Sequence, residues 1–426
     1  MGLPVAGEMP ASSLQGAAVL GHHVGMHRTS PERTSWIVER ARAIGFDLCG
    51  VAPALAFEEL SQLPEWIERG YAGEMAYLRD PRRGDPSLVM PGARSVIVVA
   101  LNYNSAGPYS TAPRDGRAAP DSTGAPEDTP RGWISRYAWG DDYHKILGAR
   151  LDELVAEMRA EFAEPFEARA YVDTGPVVER VAAKHAGLGW LAKNTCLINQ
   201  QLGSWLFLGV IVTTLDLRAS LAPGQPPAPD LCGSCTRCLD ACPTEAFAAP
   251  YVLDARRCIS YLTSELRGEI PEEFRGGMGN AAIGCDICQD VCPWNRKSPV
   301  TSLAAFQPRT APKARTDVSA GEEANDAASD AANDWTLISP ELEWLASLTQ
   351  EEFSRTFRKS AVKRAKWRGL VRNACVALGN SRMAKNSAAY ARIATLLRKL
   401  AVSEERLIAE HARWALQRLG LAPGSP

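Results

Sequence analysis

Long apolar runs are missing from this sequence of 426 residues. No stretch approaches the ~18 consecutive apolar residues that a transmembrane helix needs, so we expect no membrane partner. The first thirty residues also lack the basic start and the continuous apolar stretch of a secretory signal. The sequence therefore predicts a cytoplasmic protein, with residues 1–33 as a flexible N-terminal extension.

An excess of charge of either sign is absent as well. The 47 Lys and Arg residues nearly balance the 49 Asp and Glu residues, so the net charge is −2. Any contact with nucleic acid must therefore depend on a local basic surface rather than on the field of the whole protein. Hydrophobic residues make up 46% of the chain, which is ordinary for a globular protein. At roughly 150 residues per domain, the length predicts about three domains.

Cysteine is plentiful in one place, because eight of the eleven cysteines lie between Cys232 and Cys292. The first half reads Cys-x2-Cys-x2-Cys-x3-Cys-Pro, the spacing of bacterial ferredoxins, where three thiolates hold one [4Fe–4S] cluster and the fourth binds another. The second half has Cys-x2-Cys-x3-Cys-Pro, and Cys258 replaces its first cysteine. The crossed ferredoxin pattern predicts a first cysteine set and a second cysteine set: Cys232, Cys235, Cys238 and Cys292, and then Cys242, Cys258, Cys285 and Cys288.

Zinc and disulfide bonds are the alternatives for these cysteines. Structural zinc takes four ligands in two pairs, which does not explain a third cysteine and a Cys-Pro in both halves. Disulfides are rare in cytoplasmic proteins. We therefore predict two [4Fe–4S] clusters, whereas the isolated Cys49, Cys196 and Cys375 are predicted to be small core residues.

The part of the chain before the cysteines predicts one domain, residues 34–229. Apolar strand-like runs at 95–100, 168–172 and 204–214 alternate with helical stretches, which indicates an α/β domain. Residues 106–131 are rich in Pro, Gly, Ser, Asp and Ala without periodicity, so we predict a surface insertion there.

The rest of the chain predicts two further domains. Residues 230–300 carry the eight cysteines, and residues 301–426 contain a low-complexity loop at 311–334 followed by helices. In those helices apolar residues recur at helical spacing, which is typical of a short helical-repeat module. The predicted fold class is therefore α+β, with an α/β domain, a ferredoxin-like domain and an α-helical C-terminal domain.

A polar segment follows the second strand-like run, where Asp173 precedes a Thr-Gly-Pro turn. A carboxyl group at a strand end that faces a cleft is partly desolvated, which raises its pKa and makes it a usable proton donor. The alternative is that Asp173 caps the next helix, and the residues alone leave both interpretations open.

Five features of the sequence together resemble the epoxyqueuosine reductase family. They are RYAWGDDYH (136–144), VDTGPVVER (172–180), KHAGLGWLAKN (184–194), the eight-cysteine pattern and SAVKRAKWRGLVRNA (360–374). The similarity extends from about Thr34 to Leu419. The departures are the N-terminal extension, the insertion, the low-complexity loop, and Ala192 and Trp367 where the family is expected to have Gly and Arg.

The resemblance implies a fold and a chemistry. It implies an N-terminal cobalamin-binding domain, a ferredoxin-like domain with two [4Fe–4S] clusters, and a HEAT-like helical domain that helps to hold tRNA. The implied reaction reduces epoxyqueuosine to queuosine at the wobble position, the final step of queuosine biosynthesis, in a monomer supplied by a flavodoxin or ferredoxin system. Asp173 would donate the proton, and the residues that match cobalamin contacts are Asp173, Arg136, Asn194, Ser260 and Asp286.

Basic residues are concentrated in and before a predicted helix of the last domain. They are Arg358, Lys359, Lys363, Arg364, Lys366, Arg368 and Arg372, with Trp367 between them. Such a face is usually a solvated surface, but this concentration in a slightly acidic chain favours contact with the phosphates of a tRNA anticodon stem-loop. The unpaired bases of that loop can be splayed into a cofactor site.

Two other functions share the cysteine pattern. A corrinoid reductive dehalogenase also joins a cobalamin domain to two clusters, but the basic tail and the missing export signal argue against it. An electron carrier needs neither a corrin site nor an RNA surface, nor the long segments on both sides of the cysteines.

Overall fold

The computed structural model describes residues 26–111, 129–310 and 336–422. The predicted low-complexity loop lies outside these ranges, as do most of the predicted insertion and most of the N-terminal extension. None of the helices within the described ranges is long and apolar enough to cross a membrane. The α-helices are α1 (Ser30–Ile44), α2 (Leu63–Glu68), α3 (Tyr143–Glu161), α4 (Glu179–His185), α5 (Arg237–Asp240), α6 (Ile259–Ser264), α7 (Glu272–Arg275), α8 (Ile287–Asp290), α9 (Leu342–Ser347), α10 (Gln350–Thr356), α11 (Lys366–Gly379), α12 (Ala388–Ala401) and α13 (Arg406–Arg418). The strands are β1 (Leu48–Pro53), β2 (Ser95–Asn102), β3 (Trp133–Ile134), β4 (Ala168–Tyr171), β5 (Trp190–Leu191), β6 (Leu197–Ile198), β7 (Leu206–Thr213), β8 (Phe247–Ala249), β9 (Val252–Leu253) and β10 (Ala281–Ile283).

The N-terminal domain is built on one four-stranded sheet with the order β1-β2-β7-β4. Every neighbouring pair in this sheet is antiparallel. The three predicted strands are confirmed, and β1, which was not predicted, adds a fourth. Since β2 and β4 both run opposite to β7, α3 lies in the connection between two strands of the same direction that are not neighbours, and α4 lies in the connection between two neighbouring antiparallel strands.

Side chains of β2 alternate between two apolar cores, because successive residues of a strand point to opposite faces. Ile97 and Val99 pack in the core that also contains residues of α1 and α3. Val96 and Val98 pack in a core with residues of α4. The sheet is therefore covered by helices on both faces, and every residue of β2 is buried.

The ordered domain begins before the predicted boundary at residue 34. Helix α1 begins at Ser30, where Thr29 and Glu32 form a capping box that satisfies amide groups of the first turn. Met26 donates its backbone N–H to the carbonyl oxygen of Glu161 at 2.7 Å. The predicted flexible extension therefore does not include these residues, since a cap and a tertiary hydrogen bond order them.

The first residues of the predicted surface insertion are packed against the cysteine region. The Tyr109 hydroxyl donates to the carbonyl oxygen of Asn295 at 3.0 Å, and the Ser110 amide donates to the carboxylate of Asp290 at 2.7 Å. A Gly- and Pro-rich composition predicts a loop correctly, but it does not reveal which buried acceptors that loop satisfies.

The cysteine region and the C-terminal helices share a core with the N-terminal domain. Strand β10, beside Cys285, pairs in parallel with β3. Every residue of α11 from Gly369 to Gly379 is buried, and the same core contains Trp133 and Trp139. The predicted helical tail is confirmed, and its HEAT-like character stays a prediction.

Candidate active site

Asp173 lies in a tight turn that follows β4, and about two-thirds of its side chain (66%) is exposed. Its φ of 59° is in the left-handed region, which aspartate tolerates better than most residues do. Gly175 allows the turn to close on Tyr171, because a Cβ there would lie 2.4 Å from the Tyr171 Cγ. Helix α4 has Val178 as its N-cap, so the interpretation of Asp173 as a helix cap is wrong.

Two side chains from the start of α3 hold the Asp173 carboxylate. The Tyr143 hydroxyl donates to Asp173 Oδ2 at 2.9 Å, and His144 Nε2 lies 3.6 Å from the same oxygen. The other ring nitrogen, His144 Nδ1, lies 2.8 Å from Asp142 Oδ1. His144 therefore connects two carboxylates, of which Asp142 at the helix start is half-buried and Asp173 is exposed.

These contacts set the protonation states in the opposite sense to the prediction for Asp173. Burial alone would raise the pKa of Asp173, but hydrogen bonds from His144 and Tyr143 outweigh it and lower that pKa below its usual range. Burial alone would lower the pKa of His144, but Asp142 and Asp173 raise it to about 9. The proton at this site is therefore on His144 at neutral pH, next to an ionised Asp173.

Glu179, the first residue of α4, is a third carboxyl group at the site. Burial and the nearby charge of Asp173 raise the pKa of Glu179 to about 7. Its Oε1 is buried without a hydrogen-bond partner among the described residues. Glu179 lies in the same segment as Asp173, but its role is not evident from the sequence, because only the fold turns its side chain back toward the turn.

Replacing Glu179 with Gln should reduce the dependence of thermal stability on pH. An acid with a higher pKa in the folded chain destabilises the fold as pH rises from its ordinary value of 4.5 through about 7. By linkage the full effect is about 3 kcal/mol, so the melting temperature of the wild type should fall more between about pH 5 and about pH 8 than that of the variant. Glu272→Gln, an exposed position, is the matched control, and equal pH dependence of Glu179→Gln and wild type would contradict the assignment.

The segment that leads to Tyr143 connects the acid to the second cysteine set. Asp286, next to Cys285, accepts hydrogen bonds from Trp133 Nε1 at 3.0 Å and from the Arg136 amide at 2.9 Å. The ring of Tyr137 packs against Gly284, where a Cβ would lie 2.8 Å from the Tyr137 Cε1. Acid and cysteines are thus joined by the short segment 135–143.

Arg136 and Asp286 use their polar atoms inside the protein. Asp286 is 1% exposed and also accepts a hydrogen bond from the Ser135 hydroxyl. Arg136 is 3% exposed, donates to backbone carbonyls of Ser105 and Pro108, and lies over the Trp139 ring at 4.4 Å. Both residues therefore position the segment 135–143, and their predicted contact with cobalamin stays a prediction.

Asn194 and Ser260 lie beside members of the second cysteine set. The Asn194 Nδ2 donates to the carbonyl oxygen of Cys288 at 3.4 Å, and Ser260 follows Cys258 by two residues at the start of α6. The thiols of Cys196 and Cys288 are close enough to shift each other's pKa, downward for Cys196 and upward for Cys288. Cys196 is therefore a neighbour of this cysteine set and not only a core residue.

The electrostatics of two cysteine thiols indicate which other cysteines lie near them, and the crossed ligand sets stay a prediction. Among the described residues no three His, Cys, Asp or Glu side chains lie close enough to hold a single metal ion. Burial and the charges of Cys292, Cys232 and Cys235 raise the pKa of Cys238 to about 11. Burial and the charges of Cys258 and Cys242 likewise raise the pKa of Cys285. Cys238 and Cys285 therefore each respond to members of their own set.

The predicted basic residues form a surface with one exception. Six of them are exposed, on the loop after α10, a 3₁₀ helix at Ala361–Ala365 and the first turn of α11. Arg372 is fully buried and donates to the carbonyl oxygens of Leu262 at 2.6 Å and Gly268 at 2.6 Å, so its predicted place on this surface is wrong. Within the described residues, four make no ion pair. We call these four the basic surface: Arg358, Lys359, Lys363 and Lys366.

The basic surface adjoins the acid, because the carbonyl oxygen of Lys359 accepts the Asp142 backbone amide at 2.8 Å. Lys359 and Lys366 both have positive φ angles, of 58° and 62°. Non-glycine residues in this conformation cost free energy, and they cluster at functional sites. The segment that carries the cations is thus connected directly to the start of α3.

Comparison with known proteins decides the family of this chain. Epoxyqueuosine reductase of Gloeobacter violaceus is 43% identical over 353 residues, which cover 81% of this chain and 95% of that protein. The chain belongs to the epoxyqueuosine reductase family. The enzyme from Pseudomonas aeruginosa is 37% identical over 386 residues, which cover 90% of this chain and 94% of that protein. As a member of this family the chain is an oxidoreductase.

Two models of protein domains also match parts of this chain. The model described as "Epoxyqueuosine reductase QueG, DUF1730" matches residues 83–174, which end one residue after Asp173. The model described as "4Fe-4S double cluster binding domain" matches residues 231–295, which contain all eight clustered cysteines. The prediction of [4Fe–4S] clusters is therefore confirmed, and the zinc and disulfide alternatives are removed.

Solved structures of epoxyqueuosine reductases have the same fold. One, with an epoxyqueuosine-modified stem-loop of tyrosine tRNA, matches with a TM-score of 0.73 and 28% identity, over 91% of this chain and 90% of that chain. Another, from Bacillus subtilis, has its catalytic aspartate loop swung out of the active site, and it matches with a TM-score of 0.71 and 29% identity, over 93% of this chain and 91% of that chain.

Proposed function

We propose that this chain reduces epoxyqueuosine to queuosine at the wobble position of tRNA, with cobalamin and two [4Fe–4S] clusters. The observation that carries the proposal is the exposed Asp173, which is held by Tyr143 and His144 and joined through segment 135–143 to the second cysteine set. Removal of an epoxide oxygen as water consumes two electrons and two protons. This site combines an electron source with an acid.

The proton-transfer part of the reaction uses Asp173 and His144. Substrate that covers the exposed Asp173 carboxylate removes water from it, which raises its pKa toward that of a usable donor. His144 carries a proton at neutral pH, with Nε2 3.6 Å from the carboxylate. Asp173 then protonates the departing oxygen, and His144 replaces that proton.

The two cysteine sets fit two [4Fe–4S] clusters, with one cluster bound by Cys232, Cys235, Cys238 and Cys292 and the other by Cys242, Cys258, Cys285 and Cys288. Residues around the first set are exposed, including Leu231 and Gly233, whereas Gly284 and Asp286 beside the second set are buried. Electrons from a flavodoxin or ferredoxin system therefore enter at the first set and reach the second set next to the active site.

Cobalamin fits the polar groups near the second cysteine set. The periphery of a corrin carries amide groups that need hydrogen-bond partners, and the Ser260 hydroxyl makes no side-chain hydrogen bond among the described residues. Asn194 and Asp173 provide an amide and a carboxylate. When bound, cobalamin supplies a cobalt centre that collects single electrons and delivers them as a pair. Arg136 and Asp286, which hold the segment 135–143, would complete the set of residues that contact it.

Anaerobic turnover of an epoxyqueuosine-containing stem-loop tests this function. We expect queuosine to form only when cobalamin and a low-potential electron donor are both present. A protein that carries both clusters and transfers electrons without forming queuosine would instead be an electron carrier. The proposal includes a monomeric, cytoplasmic enzyme, with the C-terminal helices holding the tRNA.

Changing all four residues of the basic surface to Ala should weaken binding of the stem-loop and make that binding less dependent on salt. Each lost phosphate contact removes ~0.7–0.9 from the slope of log K against log salt, so the slope should fall by about 3. Filter binding or fluorescence anisotropy over a salt series measures it. Arg398→Ala with Lys399→Ala, two exposed cations on α12, is the control, and an unchanged slope in the fourfold variant would leave the basic surface as solvated charge.

A further inference from the structure

Tyr77 is an exposed aromatic side chain near the active site. It lies in the 3₁₀ helix Ala76–Arg79, and 48% of its surface is exposed. The guanidinium of Arg83 lies 5.5 Å from the centre of its ring, and that of Arg364 lies 5.8 Å from it. An aromatic ring that is flanked by cations and still open to solvent is a surface on which another flat group can stack.

Both arginines are held in place by other parts of the chain. Arg364 donates from Nε and Nη2 to the two carboxylate oxygens of Glu265, each at 2.6 Å. A bidentate pair fixes the plane of the guanidinium and leaves its flat faces available. Arg83 is buried and donates to the carbonyl oxygens of Tyr77 at 3.3 Å and Val177 at 3.4 Å.

The bond from Arg83 to Val177 connects Tyr77 to the turn that carries Asp173. Electrostatic interactions also indicate that Tyr77, Arg364 and Asp173 lie near one another. Burial raises the pKa of Tyr77, and the charges of Glu265 and Asp173 act in the same direction. The positive charge of Arg364 acts to lower the pKa of both Tyr77 and Asp173. Tyr77 and Arg364 therefore lie near Asp173, and Arg364 is in the same 3₁₀ helix as Lys363 of the basic surface.

We propose that Tyr77, with Arg364 beside it, is a stacking platform for an unpaired nucleobase of the RNA that flanks the base entering the Asp173 site. This inference rests on the proposed function. When one base of a loop is splayed into an active site, its neighbour loses a stacking partner, and an aromatic ring with an adjacent guanidinium replaces that partner. Stacking depends on a flat face rather than on base edges, so the platform accepts any base.

The test compares Tyr77→Phe, Tyr77→Leu and Tyr77→Ala in cluster-loaded protein, using an epoxyqueuosine-containing stem-loop as the probe. Leu and Ala should raise the Kd and KM by about 5- to 100-fold, the worth of one stacked base. Phe keeps the ring and should stay within about twofold of the wild type. The single-turnover rate at saturating RNA should change little in all three variants, because none of them removes a group that transfers protons or electrons.

Tyr251→Ala is the matched control, because Tyr251 is 46% exposed but lies near the first cysteine set, where its hydroxyl bonds to Asp230. It should bind the stem-loop as the wild type does. A stem-loop with an abasic nucleotide beside the modified base should erase the difference between Tyr77→Leu and the wild type.

Wild-type affinity in Tyr77→Leu would overturn the platform, and so would an equal loss in Tyr77→Phe, which would indicate a hydroxyl contact. Melting temperature and cluster absorbance report on folding, and Leu replaces Ala if Ala does not fold. If the wild type fails to form queuosine but its stem-loop affinity depends on the Tyr77 ring, the proposed reaction fails and the platform stands. If the wild type forms queuosine but its stem-loop affinity does not depend on the Tyr77 ring, the proposed reaction stands and the platform fails.

Discussion

Asp173→Asn should lower the single-turnover rate by ~10²–10⁴-fold, the usual worth of a positioned general acid. The structure explains why this loss would report on chemistry. Asparagine tolerates the left-handed backbone of this turn as aspartate does, and its amide oxygen can still accept the Tyr143 hydroxyl. The variant keeps the shape of the side chain, but it loses the negative charge and can no longer take up a proton and pass it to the departing oxygen.

Melting temperature, cluster absorbance, cobalamin affinity and stem-loop affinity should all stay close to wild type in this variant. Asp141→Asn is the matched control, because the Asp141 carboxylate binds Arg309 and takes no part in holding the acid. Its turnover should be nearly normal. If Asp173→Asn also turns over normally, the proton comes from another group, and His144 is then the first residue to replace.

Cys292→Ala should reduce the iron content from about eight to about four Fe per chain and abolish turnover, since one of two four-iron clusters is lost. The crossed ligand sets make a sharper prediction for a double variant. If Cys232 and Cys292 bind the same cluster, Cys232→Ala with Cys292→Ala should still retain about four Fe. If they bind different clusters, the double variant should retain almost none.

The complementary pair is Cys242→Ala with Cys288→Ala, which should also retain about four Fe per chain. Cys375→Ala is the control, because this cysteine is buried in α11 among apolar residues and should leave the iron content at about eight. Iron and acid-labile sulfide are measured after anaerobic reconstitution. Loss of all iron in both double variants would show that the ligand sets follow the order of the chain instead of crossing.

The cysteine chemistry was predictable from the sequence because it is local. The spacing from Cys232 to Cys242 brings thiolates to one loop whatever the rest of the chain does, and the family model confirmed the assignment. The strands β2 and β7 were predictable for a related reason, since each is an apolar run whose residues are all or mostly buried.

The role of a residue could not be predicted from local spacing where it depends on partners far away in the sequence. The sequence placed Asp173 at a strand end, but its low pKa depends on His144 and Tyr143, which lie about one helix earlier in the chain. Arg372 has the same charge as Lys363, yet only the packing of α11 against the cysteine region buries it and commits it to backbone carbonyls.

The sequence by itself determined which chemical groups this protein has, how the cysteines are spaced and which segments are apolar enough to form strands and helices. The tertiary structure decided the antiparallel order of the sheet, the partners of Asp173, the inward position of Arg136 and Asp286, and the pairing of Tyr77 with Arg364. The physical reason is the distance along the chain over which each effect acts. Spacing and periodicity act over a few residues, whereas burial, charge and hydrogen bonding act between groups that only the folded chain brings together.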